Sequence, residues 1–277
     1  MTEQTVQIPS GFVVLTSYGQ ITMETAKAWQ ELRAFNDKQG LQNIGYDIVP
    51  GTLVDKARND ACRRALAMGA GWLCMIDADM TFAPDSLLRI LQTAYGSHPQ
   101  LDVVGAYANL RGDMGIPTID TGTGTWEIHY PGSGVMEVIR TGGAYLLVKR
   151  HVLERMPDPW FRMRVPSRPI DALGELDNFA RCKMDGQNPF RGLPGEPWER
   201  LEEIARTDPS ANGQWTPAEV GEDSGFCDRV KLYGFRIGVD TNVACGHVDR
   251  KITDHVTLKA KMDELQKQSL LCAGFEA

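Results

Sequence analysis

The sequence lacks Cys-X-X-Cys pairs, a membrane-length apolar run and an excess of positive charge. Its cysteines are Cys62, Cys74, Cys182, Cys227, Cys245 and Cys272. Without a Cys-X-X-Cys spacing they exclude a zinc ribbon or a thioredoxin-like redox site. They sit in apolar stretches and read as reduced core residues of a cytoplasmic protein. The opening MTEQTVQIPS has no basic segment followed by an apolar one, so no secretory signal is expected. No window approaches the roughly 18 apolar residues that span a bilayer. Low-complexity composition is absent too: 15 prolines and 28 glycines in 277 residues are ordinary for a loop-rich α/β protein. The net charge of −7 argues against broad phosphate-driven binding of nucleic acid, which needs a basic stripe. An acidic chain that holds an anionic substrate does so with a metal ion or a few placed arginines.

What is present is a regular alternation. GFVVLTSYG (11–19) reads as a buried strand breaking into a loop, and ITMETAKAWQELRAFNDKQG carries helical spacing up to Gly40. NIGYDIVPG is a second strand, and LVDKARNDACRRALAMGAG places Val54, Ala57, Ala61, Ala65 and Met68 on one helical face. WLCMI is an unbroken apolar run, the mark of a central parallel strand covered on both faces. Pro84 opens another helix where its missing N–H costs nothing, and LDVVGAYA is one more strand. This β-α-β-α-β-α-β order is a doubly wound half-domain. After residue 115, TWEIHY, GVMEVI and AYLLVKR are shorter strands between Gly-rich turns, expected to form an antiparallel or mixed extension. Residues 162–220 are a Pro/Gly/charge-rich excursion of the kind that serves as a lid or binding loop, with one helix near 196–206. SGFCDRVKLYG returns to helix, FRIGVDTNV to strand, and LKAKMDELQKQSLL is a charged C-terminal helix. One domain over 1–277 is expected: a nucleotide half at 11–115, an acceptor half at 116–250, and a C-terminal helix at 251–277.

LCMIDADMTF (73–82) is the stretch that bears on chemistry. Asp77 and Asp79 lie past the carboxyl end of a buried strand, where open α/β sheets bind ligands. Two hard oxygen ligands suit Mg²⁺ or Mn²⁺ bound together with substrate phosphates. The plain alternative is a pair of solvated strand-end residues. DADMT also resembles the first motif of haloacid-dehalogenase-type phosphatases, in which the first aspartate is a phosphoryl nucleophile and the second a general acid/base. That family begins near this strand, whereas here a complete β-α-β-α precedes it.

A broader resemblance reaches beyond the aspartates. LVDKARNDACRRAL followed by WLCMIDADMTF, then TGGAYLLVKRHVLERMPDPWF (141–161), then GEDSGFCDRVKLYGFRIGVDTNVACGHV (221–248), is similar to family-2-like nucleotide-sugar glycosyltransferases of the bacteriophage-encoded type. The matches run in order over most of residues 11–248 and leave 162–220 unmatched. The resemblance implies a GT-A fold: α/β, a Rossmann-like, mostly parallel central sheet flanked by helices, with a smaller antiparallel extension and a long acceptor-side loop. It implies a metal-dependent transferase moving a sugar from a nucleotide-diphosphate donor, a UDP-sugar by family habit, to a hydroxyl of a protein, a glycan or a modified DNA base. It places the protein in a host cytoplasm.

The same resemblance assigns roles. Asp77 would touch the ribose or a metal-bound water, Asp79 would chelate the metal beside the diphosphate, and His247 would be the other protein ligand. A lone histidine is also a common structural residue. Asp223, with Glu222 beside it, is the candidate to remove the acceptor's proton; both are equally sound as first-turn acids of a helix. If transfer is retaining, Asp223 orients the acceptor instead. Thr16, Ser17 and Tyr18 end the first strand where the base would sit, and Tyr18 either stacks on it or packs at the rim. Arg58 either reaches the base or diphosphate or pairs with Asp55 on the helix surface, and Asn59 caps locally. Gly142 and Gly143 allow close backbone approach to the sugar or form a tight turn. Trp160 is a sugar platform or a core residue. A third reading is a non-catalytic carbohydrate- or virion-binding protein on the same scaffold.

Overall fold

The computed structural model describes residues 7–17, 19–41, 43–51, 53–110, 116–122, 131–162 and 221–248, and the backbone of 252–253. TWEIHY, the 162–220 excursion beyond Arg162, Tyr18 and the expected C-terminal helix lie outside the described residues.

The alternation expected for the first hundred residues is present. The elements are β1 (Gly11–Ser17), α1 (Met23–Lys38), β2 (Ile44–Pro50), α2 (Val54–Ala67), β3 (Trp72–Asp77), β4 (Met80–Phe82), α3 (Ser86–Gln92) and β5 (Val103–Tyr107). Local chemistry sets the ends. The Thr22 hydroxyl accepts from the Thr25 N–H at 3.1 Å and starts α1. Gly69, at φ +72°, closes α2, with its own N–H on the Leu66 carbonyl and the Ala70 N–H on the Ala65 carbonyl.

After these come β6 (Ile119–Asp120), β7 (Val135–Val138), β8 (Arg140–Thr141), β9 (Tyr145–Lys149), α4 (Arg150–Arg155), α5 (Glu222–Leu232), β10 (Ile237–Val248) and β11 (Ile252–Thr253). The main sheet runs β11-β10-β5-β9-β3-β1-β2, with β4 and β7 also paired to β10. β1 is parallel to β2 and β3, and β10 is parallel to β5.

AYLLVKR departs from expectation. It does not belong to an outlying extension: β9 lies between β3 and β5, antiparallel to both. All five of its residues are buried, so it needs cover on both faces and cover is complete only mid-sheet. β3 is therefore parallel to β1 on one side only.

Side-chain alternation splits the core in two. Phe12, Val14, Leu73, Met75, Leu146 and Val148 face one way, against Ala57, Ala61 and Ala65 of α2 and Phe226 and Val230 of α5. Val13, Leu15, Trp72, Cys74, Tyr145 and Leu147 face the other, against Trp29 and Leu32 of α1 and Leu87, Ile90 and Leu91 of α3. The period of two along each strand produces this helix–sheet–helix sandwich.

Four cysteines, Cys62, Cys74, Cys227 and Cys245, are buried within it as free thiols. Burial pushes the Cys227 thiol up to about 12 and the other three still higher. Alkylation by iodoacetamide at pH 8 followed by peptide mass mapping should find these four unmodified in the native protein and modified after denaturation. Native labelling at the rate of a free thiol would contradict this core.

Candidate functional site

The site forms where β1, β3 and the start of α5 converge with the β8–β9 turn. β1 and β3 are in register with Thr16 opposite Asp77. The Thr16 hydroxyl donates to Asp77 Oδ1 at 2.9 Å. The backbone around the aspartates is also pinned: the Asp77 N–H donates to the Ala144 carbonyl at 2.9 Å and the Ala78 N–H to the Thr16 carbonyl at 3.0 Å.

Arg58 reaches this point from the second turn of α2. Its Nη2 donates to both oxygens of Asp77 at 3.0 Å, and its Nη1 donates to Glu222 Oε1 at 2.6 Å. Only 2% of Arg58 is exposed. It does not pair with Asp55, and it has no open face for a base or diphosphate. A charge this deeply buried is tolerable because two carboxylates and their hydrogen bonds replace water. Burial opposes its protonation, but Asp77, Glu222 and Asp223 outweigh that and hold it charged. Glu222 is affected the other way: burial raises its pKa, Arg58 lowers it, and the charges of Asp223 and Asp77 raise it again.

Gly143 is where a side chain is not tolerated. A Cβ there would stand 2.1 Å from Arg58 Nη1 and 2.4 Å from Cζ, so the glycine lets the turn lie directly on the guanidinium. The Gly143 N–H donates to Asp223 Oδ2 at 3.3 Å. Gly143→Ala is expected to destabilise the fold by about 1–3 kcal/mol, as overpacking of a tight core does. Denaturant unfolding that shows no loss would mean that Arg58 repacks freely.

Asn59 is not a local cap. Its Nδ2 donates to the Phe161 carbonyl at 2.8 Å, and its Oδ1 accepts from the Phe161 N–H at 3.0 Å. The Phe161 ring stacks on Phe226 with centroids 4.2 Å apart and lies 5.6 Å from Arg58 Cζ. Trp160 is core, not a platform: it is 4% exposed and its indole N–H donates to the Leu153 carbonyl. Arg229 of α5, which sequence reasoning did not assign, donates to the carbonyls of Trp160 at 2.8 Å and Pro157 at 3.0 Å. Its signal was a charged residue on the apolar face that carries Phe226 and Val230. Gly142 packs against Thr118. Ser17 is buried and donates to the Gln20 carbonyl.

β10 carries the backbone at His247 and Val248 alongside Met80 and Asp79. A register shift between Asp240 and Ala244 separates two parts of this strand: residues 237–240 pair with β5 and β7, and residues 245–247 run antiparallel to β4. His247 is opposite Met80, and the Val248 N–H donates to the Asp79 carbonyl at 2.7 Å. His247 is buried and Asp79 half-buried. The pair offers one carboxylate and one imidazole, a donor set that fits Mn²⁺ or Mg²⁺ once other ligands complete the shell. Among the described residues, no three His, Cys, Asp or Glu side chains form a metal-holding group. Both Asp77 oxygens accept from Arg58.

No protein-family model matches the sequence, and no curated protein matches it. Among solved structures, it is similar to the STIV protein A197, at 16% identity and a TM-score of 0.51 over 87% of this chain and 86% of that one. A glycosyltransferase involved in glycosylation of the major capsid of PBCV-1 aligns at 13% identity and a TM-score of 0.32, over 54% of this chain and 68% of that one. A Drosophila β-1,4-galactosyltransferase 7, in complex with manganese, UDP-Gal and xylobiose, aligns at 14% identity and a TM-score of 0.32, over 76% and 71%. The likeness to A197 concerns the fold alone, and the other two are too remote to bear on activity. The fold is α/β, with a mostly parallel central sheet flanked by helices on both faces.

Proposed function

We propose that the protein is a divalent-metal-dependent glycosyltransferase using a nucleotide-diphosphate sugar, a UDP-sugar in the first instance. The observation that carries this reading is the convergence, at the carboxyl end of β3, of Asp77, Glu222 and Asp223 around Arg58, with Asp79 and His247 on neighbouring strand ends. Three carboxylates around one guanidinium leave the site acidic. An anionic donor therefore needs a cation to enter it, and Asp79 and His247 would hold that cation. When bound, the ion would neutralise charge developing on the leaving diphosphate.

Asp223 serves as the base. As the acceptor oxygen bonds to the anomeric carbon and the bond to the diphosphate breaks, the acceptor's proton passes to an Asp223 carboxylate oxygen. The Gly143 N–H holds this carboxylate in place. Thr16 and Arg58 fix Asp77 from behind, leaving its rim to the donor's ribose. A phosphatase of the dehalogenase type fits less well, because Asp77 as nucleophile would have to give up its hydrogen bonds from Arg58 and Thr16.

Thermal unfolding with UDP, GDP and CDP, each with and without Mn²⁺, tests the reading. At a ligand concentration 100 times Kd, binding adds about 2.7 kcal/mol, a rise on the order of 5 °C for a chain of this size. UDP should give it only with Mn²⁺, and Asp79→Ala should abolish the metal-dependent part. If no nucleotide shifts the transition under either condition, the proposal fails.

A further inference from the structure

We infer that Arg58 is a positioning residue that places Asp223 relative to Asp77, with Glu222 as its anchor on α5, and that it does not contact the donor. This inference rests on the transferase reading for its consequence in turnover, but its geometry is independent of it.

The guanidinium is enclosed. One edge is shared between Asp77 and Glu222, the glycine turn lies against it at Gly143, and the Phe161 ring is 5.6 Å from its centre. Asp77 belongs to the sheet that would carry the nucleotide, whereas Glu222 begins the helix that also carries Asp223. The two carboxylates come from positions 145 residues apart, since Arg58 lies 19 residues before Asp77 and 164 before Glu222. Without the cation between them they would repel, and the first turn of α5 would have no fixed distance from β3. Asp223 is tied into the same unit twice, by its chain neighbour Glu222 and by the Gly143 N–H. One side chain thereby sets the separation between the donor-side aspartate and the acceptor's base, and a misplacement of about 1 Å in such a pair costs roughly 100-fold in rate. A bidentate guanidinium can span both carboxylates where a lysine ammonium reaches one.

Arg58→Lys and Glu222→Gln test this, with Asp223→Ala, which has no acceptor for the Gly143 N–H, as the reference. The first readout is the amide resonance of Gly143 in the full-length ¹⁵N-labelled protein. In both variants it should move upfield, as in Asp223→Ala, because the hydrogen bond to Asp223 lengthens or is lost while the remaining spectrum stays folded. The second is UDP release from UDP-glucose and related UDP-sugars with Mn²⁺, which should fall in kcat by roughly 100-fold with the Kd for UDP–Mn²⁺ unchanged. An unmoved Gly143 resonance in both folded variants overturns the inference. So does weakened UDP binding with unchanged kcat, which would make Arg58 a donor contact. A moved Gly143 resonance in a protein whose wild type binds none of UDP, GDP and CDP would uphold the positioning and overturn the transferase reading.

Discussion

Arg58→Met is expected to lower the folding free energy by about 3–5 kcal/mol, the cost of removing one partner from a buried ion pair. Methionine fills much of the space but leaves Asp77 and Glu222 facing each other, with Asp223 nearby and no cation between them. The loss should depend on pH, and its sign follows from Glu222. Burial already raises its pKa in the folded protein, and Arg58 is the charge that holds it down. Without Arg58 the folded-state pKa rises further above the unfolded value. Such a group stabilises the fold below its unfolded pKa, and that stabilisation is lost as pH rises through the folded pKa. The variant should therefore be nearest to wild type around pH 4–5 and fall progressively behind toward pH 8. Denaturant titrations across that range measure it. A loss under about 1 kcal/mol, flat with pH, would mean that the three carboxylates are not coupled through Arg58.

Asp223→Asn should reduce sugar transfer or UDP-sugar hydrolysis by roughly 10²–10⁴-fold, the usual contribution of a positioned base. Asparagine keeps the size of the side chain and an oxygen that can accept from the Gly143 N–H. It cannot take a proton from the acceptor. Nucleotide affinity with Mn²⁺ should persist, because the ligands proposed for the metal lie on β10 and the β3–β4 turn. Stability should hold or rise slightly, since one of the like charges raising the Glu222 pKa disappears. Full activity in Asp223→Asn would remove the base from the scheme, and loss of UDP binding would move Asp223 to the donor side. This variant also separates an enzyme from a binding protein on the same scaffold: a non-catalytic protein has no turnover to lose.

The sequence was most informative where a local pattern has only one physical outcome. Apolar runs such as FVVL and WLCMI read as strands of a covered sheet, and the spacing of Ala57, Ala61 and Ala65 as one face of a helix packed on it. The ends of those runs located Asp77 and Asp79. Partners were not legible. Arg58 suggested Asp55, three residues away, because i,i+3 contacts are what a helix offers locally. Its actual partners are 19 and 164 residues distant. Asn59 suggested a cap, yet it clamps a backbone segment 102 residues later.

By itself, then, the sequence determined the elements, the two-faced burial of the strands and the strand end at which chemistry is possible, because periodicity and burial are properties of contiguous residues. Only the tertiary structure decided that YLLVK enters the centre of the sheet, that β10 beyond its irregularity pairs with β4 beside Asp79, and that Arg58 is buried between two acids. Strand neighbours and ion-pair partners are chosen by the whole core at once. A buried charge settles where the fold supplies opposite charge, at whatever distance along the chain that lies.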